Sequence, residues 1–71
     1  MEVIDVSGMQ CPDPLRKVAS VLASAPPGSR YRIVTDDYVC YVMLRRLMAV
    51  NDVKIVEADE GGPYALVVEK Y

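Results

Sequence analysis

Seventy-one residues form a single domain, 1–71, with room for only a modest core. An apolar content of 52% favours a folded chain over a disordered one, and the absence of His removes histidine bases, histidine metal ligands and any Cys-His or Ser-His-Asp arrangement within the chain. A net charge of −2 lacks the basic surplus of a nucleic-acid binder, and no apolar run approaches the roughly 18–20 residues of a membrane span.

The acidic start "MEVIDV" does not read as a secretory signal, so the expected location is cytoplasmic. Breaks at Ser7-Gly8, Pro26-Pro27-Gly28, Asp36-Asp37, Asn51-Asp52 and Gly61-Gly62-Pro63 divide the chain into six segments. Residues 2–6 alternate, with Ile4 and Val6 to one side, and predict a strand. Residues 12–25 carry Leu15, Val18, Ala19 and Leu22 at helical spacing. Residues 30–35, "RYRIVT", alternate again and are rich in β-formers. Asp36 or Asp37 can cap a second helix over 38–50, whose apolar face is read as Val39, Met43, Leu47 and Val50, with Cys40 and Leu44 beside it. Residues 53–58 and 64–71 predict strands joined as a hairpin by the turn at 60–63. The expected fold is α+β: a two-layer α/β sandwich, β-α-β-α-β-β, with a four-stranded mixed sheet and both helices packed on one face.

The segment "GMQCPDP" at 8–14 concentrates the chemistry. With Cys11 as N-cap, Pro12, Asp13 and Pro14 fall in the first helical turn, where backbone amides have no internal acceptor and proline loses nothing. Both prolines stiffen the turn, leaving the amides of Asp13 and Leu15 as donors near the sulfur. The positive helix end favours thiolate over thiol, and Arg16 and Lys17 add to that. The Asp13 carboxylate opposes it, so a modest lowering of the Cys11 pKa is expected. Cys11 lies in a turn outside both apolar stripes and reads as an exposed, reactive thiol. Cys40 shares a helical face with Met43, Leu44 and Leu47 and reads as core. The two cysteines form no C-x-x-C pair and no four-ligand zinc site, and a reducing cytosol disfavours joining them. Two separate thiols are therefore expected. Asp36 and Asp37, without a histidine or third carboxylate nearby, read as capping residues. Arg30, Arg32, Arg45 and Arg46 read as solvated surface.

The pattern Asp5-x-x-Gly8-Met9-x-Cys11-Pro12-x-Pro14 resembles the signature of the TusA (SirA-like) family of small sulfur carriers. The likeness runs along nearly the whole chain, and includes the acidic pair before the second helix and the last hairpin. Tyr38 stands where members often have proline, and Cys40 has no counterpart in the motif. The resemblance implies the same β-α-β-α-β-β sandwich. It also implies that Cys11 accepts sulfane sulfur as a persulfide from a cysteine desulfurase or rhodanese-like donor, then passes it to a cysteine of an acceptor protein. Gly8, Pro12, Asp13 and Pro14 would be the supporting motif, with Arg16 and Lys17 as a docking patch. Such a protein is a persulfide-forming sulfurtransferase acting as a carrier rather than an independent enzyme. It needs no metal or organic cofactor, and neither nucleic acid nor membrane is an expected partner. Thiolated tRNA, molybdenum cofactor supply and sulfur-compound oxidation are the pathways such relays serve. Two other readings stand beside it: a redox or regulatory module in which Cys11 and Cys40 pair, and a nucleic-acid- or protein-binding module with an incidental cysteine.

Overall fold

The computed structural model describes residues 2–71. In chain order it forms β1 (Glu2–Asp5), α1 (Asp13–Ser24), β2 (Arg30–Thr35), α2 (Tyr38–Val50), β3 (Val53–Asp59) and β4 (Tyr64–Lys70). The order matches the sequence reading. The four strands make one sheet in the order β1-β2-β4-β3. Strand β1 runs parallel to β2, and β4 runs antiparallel to both β2 and β3. The steps from β1 to β2 and from β2 to β3 move the same way across this order. Crossovers of one hand therefore put both helices on one face.

That face is the core. Ile4, Ile33 and Leu66 line up across β1, β2 and β4, and Tyr31, Val68 and Ile55 make a second row across β2, β4 and β3. Against them pack Val18 and Leu22 of α1 and Tyr41, Leu44 and Met48 of α2. Helix α1 starts one residue later than its sequence suggested and buries Pro14, Val18 and Leu22, while Ala19 stays exposed. Its last turn has no basic residue of its own. Lys70 of β4 supplies one, its Nζ donating to the Leu22 and Ala23 carbonyls.

Helix α2 turns a different face inward from the one expected. Val39, Met43 and Val50 are 63%, 39% and 81% exposed, while Cys40, Tyr41, Leu44 and Met48 are buried. Both sets are apolar at helical spacing, so periodicity alone does not choose between them. Tyr41 decides it, because its ring can be buried only if its hydroxyl finds an acceptor. Glu60, from the turn between β3 and β4, accepts that hydrogen bond at 3.0 Å. The ring also stacks with Tyr64 at a centroid distance of 5.3 Å. Burial, followed by the Glu60 contact, pushes the Tyr41 hydroxyl pKa up, which keeps it a donor.

Candidate functional site

Because β1 and β2 are parallel neighbours, their C-terminal ends lie side by side. The loop into α1 and the loop into α2 therefore leave the same end of the sheet. The first loop is built by short-range bonds. Ser7 donates its amide to Asp5 Oδ1 at 2.9 Å, and Met9 donates to the Val6 carbonyl at 3.2 Å. Gly8 between them takes φ +81°, a conformation that disfavours any residue with a Cβ. The Asp5 carboxyl is held below its ordinary pKa, chiefly by the Ser7 amide and then by the Ser7 side chain, with Lys17 adding a smaller charge effect.

The second loop is fixed by its two aspartates, which do different work. Asp37 caps α2, its Oδ1 accepting from Val39 N at 2.9 Å and Cys40 N at 3.3 Å. Asp36 instead reaches across to the first loop, where its Oδ1 accepts from Gly8 N at 3.1 Å. This tie between the loops was missed in the sequence, where both aspartates read as caps. Nothing in the local spacing signals a partner 28 residues away.

Between the tied loops, Cys11 and Cys40 are joined in a disulfide, with their Cα atoms 5.9 Å apart. This corrects the expectation of two separate thiols. That expectation rested on compartment and on sequence distance, whereas the parallel β1–β2 pairing sets the distance in space. The Cα separation falls within the usual span of about 4.4–6.8 Å for bridged cysteines. Cys40 is fully enclosed, as its core reading required. Cys11 remains partly open to solvent.

The helix start also differs from the expected one. Pro12, not Cys11, is the N-cap, so Asp13 and Pro14 occupy the first two helical positions and Cys11 stands one residue outside. The Cys11–Pro12 peptide bond is cis. The amides expected to face the sulfur are occupied: Asp13 N donates to the Gln10 carbonyl and Leu15 N to the Pro12 carbonyl, each at 3.0 Å. Of the supporting residues, Gly8, Pro12 and Asp13 are exposed and Pro14 is buried beneath the turn. Arg16 and Lys17 are exposed on the first turns of α1. Arg30 and Arg45 have acidic neighbours elsewhere, Glu69 at 2.7 Å and Glu60 at 3.7 Å.

Among the described residues, no cluster of three or more His, Cys, Asp or Glu side chains could hold a metal ion. Among the same residues, no helix is long and apolar enough to cross a membrane. A groove of about 230 Å³ between the helices is bounded by Leu22, Leu47, Met48, Val53 and Lys70, and shares no residue with the disulfide. The two cysteines thus lie at the tied loops and not in that groove. A family model described as Sulfurtransferase TusA matches residues 2–70. No curated protein matches the chain.

Proposed function

Since the chain belongs to the TusA sulfurtransferase family, we propose that Cys11 is the residue on which it carries sulfur. The observation that supports this is the unequal access of the two sulfurs: Cys11 is partly exposed at the C-P-x-P turn, and Cys40 is enclosed. A partner's persulfide can approach only Cys11.

The carrier form is the reduced one. The Cys11 thiolate attacks the outer sulfur of a persulfide on a cysteine desulfurase or rhodanese-like donor. That forms Cys11 persulfide and releases the donor thiolate. An acceptor protein's thiolate then attacks the outer sulfur, and Cys11 leaves as thiolate. The chain has no histidine, so proton exchange falls to water or the partner. Arg16 and Lys17, exposed one turn from Cys11, give an acidic donor or acceptor surface a place to dock.

The test is to reduce the protein and incubate it with a cysteine desulfurase and cysteine. Intact-mass analysis of samples alkylated early in the reaction should show a gain of one sulfur atom over unloaded protein alkylated in the same way. The gain should vanish in Cys11→Ser and persist in Cys40→Ser. A gain located on Cys40 alone overturns the assignment. The disulfide favours a second reading, a redox-regulated module in which oxidation withdraws Cys11 from the relay. Loading that is equal in the oxidised and reduced proteins excludes it.

A further inference from the structure

The two sulfurs have different ranges of partners. Cys11 meets solvent, whereas Cys40 is enclosed and bonded to Cys11. Cys40 can therefore exchange with no outside protein, and its only sulfur partner is Cys11. The backbone already holds the two Cα atoms at a bonding separation of 5.9 Å. The Asp36–Gly8 hydrogen bond and the Asp37 cap hold both loops in that relation. A core packing role for Cys40 does not require this alignment.

We propose that Cys40 is a resolving thiol that converts a Cys11 persulfide into free hydrosulfide. The proposal rests on the reading of Cys11 as the sulfur-carrying residue. The Cys40 thiolate attacks the inner sulfur, Cys11 Sγ. The Sγ–Sγ bond forms as the bond from Cys11 Sγ to the outer sulfur breaks. The electron pair leaves with the outer sulfur, which takes up the proton given up by Cys40, so that an anionic persulfide departs as hydrosulfide. The outer sulfane sulfur gains two electrons, and the two cysteines together lose two as they become the disulfide. Hydrosulfide is a less basic leaving group than an alkyl thiolate, which favours its departure. Two low-molecular-weight thiols then reset the site: the first attacks the accessible Cys11 and frees Cys40, and the second attacks the resulting mixed disulfide, freeing Cys11 and leaving as the oxidised thiol.

Two fates thus compete for one persulfide. An acceptor protein attacks the outer sulfur and the sulfane sulfur is relayed. Without a docked acceptor, Cys40 attacks the inner sulfur and sulfide is released. The same step in reverse lets hydrosulfide open the disulfide at Cys11, giving Cys11 persulfide and a Cys40 thiol. Free sulfide thereby enters the relay as sulfane sulfur.

Two arms test this on the full chain under anaerobic conditions. In the first, reduced protein freed of reductant is treated with stoichiometric inorganic polysulfide. The wild type should release hydrosulfide and end two hydrogens lighter than the reduced chain. Cys40→Ser should keep the added sulfur on Cys11, with the corresponding hydrosulfide release lost. A wild type that keeps the sulfur with Cys40 free overturns the resolving role and leaves the carrier reading standing. If neither protein acquires sulfur, the carrier reading fails. In the second arm, oxidised wild type is treated with sodium sulfide, alkylated and digested. Alkylated persulfide on Cys11 with free Cys40 supports the proposal. Persulfide on Cys40, or an unopened disulfide, overturns it. This arm needs no variant and no donor protein, so it decides the question even if Cys40→Ser does not fold.

Discussion

Gly8 holds the left-handed conformation that aims its amide at Asp36, φ being +81°. A Cβ added there meets no atom within 4 Å, so Gly8→Ala is penalised through the backbone alone, by about 1–2 kcal/mol. The urea midpoint of that variant should fall accordingly. Asp36 is tested by a pair of substitutions. Asp36→Ala removes the acceptor and should slow closure of the Cys11–Cys40 bond on mild oxidation, while Asp36→Asn keeps an accepting oxygen and should close like the wild type. Equal closure in all three removes Asp36 from the site. Asp5 carries a pH signature. Its folded pKa is depressed, so its contribution to stability is complete above the ordinary aspartate value of about 3.9 and is lost as pH falls through the lower folded value. The stability gap between wild type and Asp5→Ala should therefore narrow in acid. A gap that does not change with pH would show that the carboxylate charge is irrelevant. At this scale the sequence was most legible where the chemistry is local. The glycine turn and the aspartate cap were both readable within a few residues. The Asp36–Gly8 tie was not, because its partners meet only after β1 and β2 pair.

The helices divide along the same line. Asp37 at the N-cap of α2 follows from residue type and position, and Asp37→Ala should cost about 1 kcal/mol through the two amides it leaves unpaired. The inward face of α2 does not follow, since Val39, Met43 and Val50 make as regular a stripe as Tyr41, Leu44 and Met48. Substitution separates the two. Met48→Ala should cost about 2–5 kcal/mol, whereas Val50→Ser should stay within about 0.5 kcal/mol. Comparable losses at both positions would mean that the helix is rotated from the orientation described. The strand segments were legible because each alternates or is rich in β-formers. Their order in the sheet was not, since β4 passes between β2 and β3 by pairing that no local pattern encodes. The start of α1 shows the finest error, a one-residue shift that moved the N-cap from Cys11 to Pro12.

For the molecule as a whole, the disulfide matters most. It links residues 29 apart, and in the chain-entropy account a loop of that length stabilises the fold by about 3–4 kcal/mol. A domain of this size has a total stability of only about 4–11 kcal/mol at the usual per-residue range. Reduction should therefore lower the denaturation midpoint markedly, and Cys11→Ser, at the partly exposed end of the bond, should match the reduced wild type. An unchanged midpoint would mean that the bond leaves the unfolded chain no less free. The pairing was invisible in the sequence because it depends on which strands are neighbours, and that is a property of the assembled sheet. The sheet order has another consequence, for synthesis on the ribosome. Strand β4 is the last of the four to be made, yet it sits in the middle, hydrogen-bonded on both sides. Until residues 64–70 have left the ribosome, β2 and β3 have no strand between them and the core face lacks Leu66 and Val68. Both cysteines emerge well before that. A nascent chain thus passes through an interval in which its second thiol is uncovered, open to the oxidants and sulfur donors from which the finished core shields it.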